Sequence, residues 1–296
     1  MASSFQHRAF RLVNRILPAY LIDMSGTPVH QPLPGRQLDH IDPFLLLHHH
    51  HQFIEPGQNP RSLGVGPHPH RGFSPVTLIY KGAVHHRDSR GNDSVVGAGG
   101  VQWMQAGMGI IHSERPSDEL ARDGGEQEII QLWINTPQSH KLDQPVYTAM
   151  TADQIPTLTP TDEGVQVRVI AGNYEGVQGF QHPYSPLILL DIVMEKDAFL
   201  HLEIPETYNF LAYNLYNNID VEGFGLVDAR HLVWFKAGKD PAGIRALEDT
   251  RLLVLAGLPI GEPIQAYGPF VMNNQTQIME AIRDYQMGKM GILIED

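Results

Sequence analysis

The feature that most constrains this chain is a pair of short segments that each carry two metal-binding side chains. His68 and His70 are separated by one proline, and His112 and Glu114 are separated by one serine. On a β-strand this spacing places both side chains of a pair on one face, roughly 7 Å apart along the strand. If the two strands lie side by side in a small barrel, three imidazoles and one carboxylate converge there. The alternative is that these histidines cap strands or bond to the backbone.

A donor set of three nitrogens and one oxygen predicts a single divalent transition metal. Iron, manganese, cobalt, nickel, copper and zinc all accept imidazole and carboxylate ligands, so the donor set alone does not choose among them. Two coordination positions would stay open in an octahedral frame. Those positions allow a chelating substrate, or a substrate together with dioxygen, to meet on the ion.

The distribution of turn residues predicts an all-β protein. The 296 residues include 28 glycines and 22 prolines, many of them between short apolar segments. Strands joined by turns have this composition. Residues 76–80, 187–194 and 251–256 are typical strands, and Ser25 with Gly26 predicts a turn. Near the C-terminus, apolar residues recur at helical intervals over 275–286, which predicts an amphipathic helix that starts after Asn273 or Asn274 and ends at Gly288.

Several blocks spread over most of the chain form a family pattern. They are residues 68–73, 86–89, 101–104, 112–114, 132–135, 261–264 and 267–270. Together they resemble the pirin family of the cupin superfamily. The resemblance implies two cupin-type, jelly-roll β-barrel domains in tandem, with a short C-terminal helix. It also implies that the four metal ligands are His68, His70, His112 and Glu114.

The resemblance suggests a division into two domains. Residues 1–140 are expected to form a metal-binding cupin domain, and residues 141–296 a cupin-like domain without the metal set, whose final helix packs on the first domain. One position departs from the family pattern. Where relatives carry a glutamate shortly after the first histidine pair, this chain has Ser74 and Pro75. A carboxylate there would orient a ligand histidine, so its loss affects the tuning of the metal and not the ligand set.

Charge and cysteine content exclude several classes of function. The net charge of −12 and the scattered 21 basic residues argue against direct nucleic-acid binding, which needs clustered Lys and Arg. The chain has no cysteine, and therefore no disulfide, thiolate ligand or cysteine nucleophile. No signal-peptide pattern or long apolar segment is present, so a cytoplasmic protein without membrane contact is expected.

Other histidines are interpreted as structural. The run His48 to His51 is expected to be a solvated strand end near the site entrance, because only alternate members of a strand share a face. His85 and His86 are expected to be strand and turn residues. His201 with Glu203 has the right spacing for a ligand pair but lacks a second pair, so a strand histidine is expected there.

The open coordination positions favour an enzyme, and the resemblance implies an oxidoreductase similar to quercetin 2,3-dioxygenase. The resemblance implies cleavage of a flavonol such as quercetin with dioxygen, on one ion that is expected to be Fe(II). Glu114, the only carboxylate in the set, is expected to take the substrate proton. The alternative function is an iron- or redox-sensing protein that regulates a protein partner, as pirin-type transcriptional coregulators do. A third interpretation is a purely structural metal site.

Overall fold

The computed structural model describes residues 9–24, 27–36, 38–160 and 162–295. The turn predicted at Ser25 and Gly26 lies outside these ranges. The strands of the first half are β1 Val13–Pro18, β2 Tyr20–Met24, β3 Thr27–Leu33, β4 Phe44–Ile54, β5 Val65–His70, β6 Phe73–Lys81, β7 Ala83–Asp88, β8 Asp93–Gly97, β9 Val101–Gln105, β10 Ile110–Pro116, β11 Gly125–Asn135 and β12 Val146–Met150.

The remaining strands are β13 Thr157–Leu158, β14 Val165–Ala171, β15 Asn173–Tyr174, β16 Val177–Gln178, β17 Leu187–Met194, β18 Phe199–Leu202, β19 Asn209–Asn214, β20 Ile219–Val221, β21 Gly225–Val227, β22 His231–Phe235, β23 Ala242–Ala246, β24 Thr250–Gly257, β25 Gln265–Tyr267 and β26 Phe270–Met272. The α-helices are α1 Asp118–Asp123 and α2 Gln275–Gln286. The predicted all-β fold and the short C-terminal helix are confirmed.

The described parts of residues 20–155 and 260–295 form one compact unit, which we call the first barrel. Its larger sheet has seven antiparallel strands in the order β12-β9-β6-β11-β4-β3-β2, and its smaller sheet has four in the order β5-β10-β7-β8. Side chains of the two sheets meet inside the unit, since Glu114 of β10 accepts hydrogen bonds from Thr77 of β6 and Gln131 of β11. The interior of the first barrel therefore contains polar groups that bond to one another.

Residues 9–19 and the described part of 156–259 form the other unit, the second barrel. It repeats the arrangement, with a seven-stranded sheet in the order β1-β22-β19-β24-β17-β14-β13 and a four-stranded sheet in the order β18-β23-β20-β21. Apolar side chains from both sheets form its core. Strand β1 pairs with β22, which joins the start of the chain to this unit. The division into residues 1–140 and 141–296 stays a prediction.

Helix α2 belongs to the compact unit of the first barrel. The side chain of Asn274 accepts a hydrogen bond from the backbone N–H of Gln277, so Asn274 is the N-cap that the sequence offered as one of two choices. Ile278 and Ala281 are buried against Phe270 and Met272 of β26. Among the described residues, no helix has the length and apolar character needed to cross a membrane.

Candidate metal centre

Strand β10 brings the two predicted ligand pairs together. It lies between β5 and β7 in the smaller sheet of the first barrel. His112 is the register partner of His68 on β5 and of Asp88 on β7. Directly opposed residues in antiparallel strands project from the same face of the sheet. The predicted side-by-side arrangement of the two strands is therefore present, and it places His68, His70 and His112 on one surface.

The three histidines converge closely enough to share one ion. One ring nitrogen from each of His68, His70 and His112 lies within 4.8 Å of the other two, and these residues form the only such cluster among the described residues. The Nε2 atoms of His68 and His70 are 3.0 Å apart. His70 and His112 are buried, whereas His68 is partly exposed. An ion held here would be reached from the side of His68.

Hydrogen bonds at the other ring nitrogen determine which atoms face the centre of the cluster. Nδ1 of His68 lies 2.8 Å from the carbonyl oxygen of Gly66, and Nδ1 of His70 lies 3.4 Å from that of Pro269. A carbonyl oxygen only accepts, so each Nδ1 carries the proton and each Nε2 of the neutral ring presents a lone pair. Two lone pairs 3.0 Å apart repel unless a cation lies between them. Nε2 of His112 is buried without a hydrogen-bond partner in the described structure. These donors fit a metal ion.

The environment keeps two of the rings in the form that binds metal. Burial, the main cause, and the neighbouring His68 lower the pKa of His70 well below its ordinary value, against a smaller opposite effect of the Pro269 carbonyl. Burial also lowers the pKa of His112, helped by His68, His70 and His86. Because metal ligation requires neutral imidazole, these shifts favour binding over protonation.

The ring of His70 is held by two aromatic side chains. Its centroid lies 5.0 Å from that of Phe73 and 5.3 Å from that of Trp133, both in edge-on geometry at 75°. Phe73 and Trp133 also contact each other at 4.3 Å. Edge-on aromatic pairs contribute about 0.5–1.5 kcal/mol beyond area burial. The ligand ring is therefore fixed by packing as well as by its hydrogen bond.

Glu114 lies close to the cluster but is not part of it. Its Oε1 accepts a short hydrogen bond from Thr77 Oγ1, and its Oε2 accepts one of 2.9 Å from Gln131 Nε2. Glu114 and His112 line the same cavity of about 10 Å³, together with Thr77, His86 and Tyr147 among others. A space of that size holds about one water molecule. The structure thus brings three of the four predicted ligands together and leaves Glu114 bonded to its neighbours.

Comparisons with known proteins identify the family of this chain. The Pirin family model matches residues 26–134, and the model described as Pirin C-terminal cupin domain matches residues 189–291. Pirin-1 of Arabidopsis thaliana is 36% identical over 288 residues, which cover 95% of this chain and 94% of that protein. The chain belongs to the pirin family. The predicted pair of cupin domains is confirmed with it.

Two further proteins are similar to this pirin over most of its length. Pirin-like protein 2 of Arabidopsis thaliana is 36% identical over 278 residues, covering 90% of this chain and 81% of that protein. A solved structure of quercetin 2,3-dioxygenase from Acinetobacter baumannii is 36% identical, with a TM-score of 0.90, and covers 97% of this chain and 100% of that one. These similarities thus extend over the histidine cluster and over both barrels.

Sequence reasoning missed the role of the residues behind His112. His86 is a strand residue of β7, as expected, but its buried ring also contacts His112, and its Nε2 lies 3.0 Å from the carboxylate of Asp88. The signal was present, since His86 and Asp88 have the same i, i+2 spacing as the ligand pairs. The spacing alone does not show whether His86 is a metal ligand, a structural residue or a partner of His112. The register of β7 against β10 is needed for that choice.

The run His48 to His51 does not form a solvated strand end, and that prediction was wrong. It lies in the middle of β4, where His49 and His50 are buried. His49 Nε2 lies 2.9 Å from the carboxylate of Glu128, and His48 Nε2 lies 2.7 Å from Gln31 Oε1. Burial lowers the pKa of His48 and, with its histidine neighbours, of His50 to about 4. Strand pairing on both sides of β4 explains the burial.

Proposed function

We propose that this pirin is a metal-dependent dioxygenase that cleaves flavonols such as quercetin with dioxygen. The observation that carries the proposal is the convergence of imidazole nitrogens from His68, His70 and His112. The ligand set is these histidines together with Glu114, which would reach the ion by rotation of its side chain. The ion is Fe(II) by preference, and Mn, Co, Ni, Cu and Zn fit the same donors. Similarity to the Acinetobacter baumannii quercetin 2,3-dioxygenase supports the substrate class.

When bound, such an ion supplies a positive charge that stabilises the enolate, and so lowers the free energy needed to form it. Each ligand side chain has its own task. The buried rings of His70 and His112 hold the centre with neutral nitrogens and keep water away from one side. His68, which is partly exposed, forms the solvent side of the centre. The cavity of about 10 Å³ is far too small for a flavonol, so the substrate binds at this solvent side.

Glu114 is the proton acceptor in this proposal. A flavonol must lose the proton of its 3-hydroxyl group before its enolate forms, and a carboxylate oxygen within ~3 Å of that hydroxyl can take the proton. Thr77 and Gln131 both donate hydrogen bonds to the Glu114 carboxylate, and rotation towards the ion would exchange at least one of these bonds for the metal. The proton would reside on a Glu114 carboxylate oxygen until it is passed to solvent or product.

Dioxygen uptake measures this function directly. Protein stripped of metal and reloaded with each divalent ion in turn is mixed with quercetin, and consumption of dioxygen and of flavonol is followed together. Flavone, which has the same ring system without the 3-hydroxyl group, is the matched control. We expect uptake with quercetin, none with flavone, and none with metal-free protein. Absence of uptake with every loaded ion would overturn the proposal.

A further inference from the structure

Behind the metal centre, three buried side chains form a row that crosses from β7 to β10. Asp88 Oδ2 lies 3.0 Å from His86 Nε2, and His86 Nδ1 lies 3.4 Å from His112 Nδ1. The side chains of Asp88 and His86 are 0% and 2% exposed, and His112 is 1% exposed. Water therefore does not compete for these contacts, and each proton in the row has a defined donor and acceptor.

Asp88, the first member of the row, accepts hydrogen bonds at both carboxylate oxygens. Asp88 Oδ1 accepts hydrogen bonds from the backbone N–H groups of Arg90 and Asn92, and Oδ2 accepts one from Asn92 Nδ2. Three N–H groups that can only donate thus point at the two oxygens of Asp88, an arrangement that suits the ionised carboxylate. An ionised carboxylate has no proton to give. His86 Nε2 must therefore be the donor towards Asp88.

The protonation pattern of the next two rings follows from this. A neutral imidazole has one donor nitrogen and one acceptor nitrogen. With its proton on Nε2, His86 presents a lone pair at Nδ1. His112 Nδ1 must then carry a proton and donate it to His86. The lone pair of His112 is left on Nε2, the buried atom that has no partner in the described structure.

Packing prevents the middle ring from turning over. The ring of His86 stacks on that of Tyr147, with centroids 3.8 Å apart and planes 5° apart. Tyr147 is in turn held by a hydrogen bond of 2.7 Å between its hydroxyl group and Ser94 Oγ. A flip of His86 would exchange its two nitrogens and break the row. The stack and the bond to Asp88 oppose that flip together.

We propose that His86 and Asp88 are positioning residues that set the tautomer of His112 and aim its Nε2 at the metal. His68 and His70 obtain the same result from backbone carbonyls, which no substitution removes. His112 obtains it from side chains. In this chain the pair supplies a carboxylate behind a ligand histidine, although Ser74 and Pro75 stand where a glutamate was expected. The proposal rests on the metal site of the proposed function but not on the identity of the substrate.

The first test requires no metal and no substrate, and it uses variants only to assign signals. Long-range proton–nitrogen correlation NMR on metal-free protein, with histidine ring nitrogens isotopically labelled, reports which ring nitrogen is protonated. The signals of His86 and His112 are assigned by their loss in single substitutions. We expect the proton on Nε2 in His86 and on Nδ1 in His112. The opposite tautomer at either ring would overturn the proposal.

The second test separates the hydrogen-bond pattern from the shape of the ring. His86→Phe keeps a ring to stack on Tyr147 but removes the acceptor, whereas His86→Gln offers an amide donor to Asp88 and a carbonyl acceptor to His112. Affinity for Co(II) is measured by competition with a chelator. Loss of an outer partner typically weakens metal binding by about 10- to 100-fold. We expect that loss in His86→Phe and a substantial recovery in His86→Gln.

His85→Phe is the matched control for both tests. His85 is the next residue on β7 and pairs with Asp93 at 2.6 Å, but on the outer face of the strand. We expect its Co(II) affinity and the His112 tautomer to equal those of the unsubstituted protein. Equal affinities of His86→Phe and His86→Gln, or a Phe variant that binds as tightly as the unsubstituted protein, would contradict the proposal. A protein that binds Co(II) as predicted but cleaves no flavonol would overturn the proposed function alone.

Discussion

In each barrel a seven-stranded sheet and a four-stranded sheet enclose side chains of very different character. Between the sheets of the first barrel lie His112, Glu114, Thr77, Gln131 and His86. Between those of the second lies a large cluster of buried apolar residues, among them Leu190, Phe210, Val254, Leu200 and Ile244. The same strand order thus supports a polar site in one unit and a continuous apolar core in the other.

The difference shows that the fold does not determine the site. Buried polar groups are tolerated in the first barrel because they bond to one another, as Glu114 does to Thr77 and Gln131. The second barrel instead gains about 25 cal/mol for each Å² of apolar surface that it removes from water. His201 of the second barrel, which has a glutamate at the right spacing, pairs with Asp162 and lies edge-on to the ring of Phe199.

Removing a histidine from each barrel gives the largest expected contrast. His112→Ala should abolish tight metal binding, because it deletes one of three convergent imidazoles. His201→Ala should leave the metal content unchanged at one ion per chain. Elemental analysis of both purified variants provides the measurement. The contrast between the barrels would be wrong if His201→Ala still held a second tightly bound ion and if substitution of another residue of the second barrel removed that ion.

A change of one atom in each barrel sharpens the contrast further. Glu114→Gln keeps the size of the side chain but removes the proton acceptor. We expect turnover per bound metal to fall by about 10²- to 10⁴-fold, the usual contribution of a general base. Glu203→Gln, at the equivalent spacing in the second barrel, should not change turnover. Flavonol consumption is divided by metal content measured on the same sample. If Glu114→Gln keeps its turnover per metal, the residue serves only as a ligand or a structural group.

Truncating a core side chain of the second barrel should lower the free energy of unfolding and leave the metal content unchanged. Phe210 is buried and stacks on Phe235 with centroids 4.4 Å apart. Phe210→Ala should lower the free energy of unfolding by about 3–5 kcal/mol, from lost burial and the cavity left behind. Denaturant unfolding measures the loss. At native conditions the metal content per folded chain should be unchanged, and a parallel loss of metal would show that the barrels are coupled.

How much of the fold and of the candidate site can be predicted from the sequence depends on how far apart along the chain the interacting residues lie. The strands and helix α2 follow from local alternation and periodicity, so residues 187–194 and 275–286 were predicted with the observed bounds. The convergence of His68, His70 and His112 followed from spacing within each strand, once the strands were assumed to be neighbours.

Contacts set by long-range pairing were not predictable in this way. Nothing in residues 13–18 indicates that they pair with β22, more than two hundred residues later. The burial of His49 depends on a carboxylate at Glu128 of the neighbouring strand. The hydrogen bonds that draw Glu114 towards Thr77 and Gln131 come from the opposite sheet, which no spacing within β10 reveals. Register and sheet packing decide these cases.

The smallest expected effect concerns helix α2 of the first barrel. The second barrel has no helix over its described residues, so this effect has no counterpart there. Arg71, next to His70, donates two hydrogen bonds of 3.1 Å to Asp284 of this helix. Hydrogen bonds from Lys289 and Arg71, less an opposing effect of burial, lower the pKa of Asp284. The unfolded chain therefore takes up a proton at this group at higher pH than the folded protein does.

The sign of the pH dependence follows from that shift. The stabilisation is complete above the ordinary carboxyl pKa of about 3.9 and is lost as pH falls through the lowered value of the folded state. Asp284→Asn should thus lower the free energy of unfolding near neutral pH, by at most about 1 kcal/mol because solvent screens the pair. The difference should shrink to zero on acidification. Asp123→Asn, which breaks an exposed pair with Arg122, is the comparison variant and should show a smaller effect in the same direction, because Arg122 also lowers the pKa of Asp123 but solvent screens that pair more fully. An Asp284→Asn effect that is equal at acidic and neutral pH would mean that the ion pair does not hold the helix.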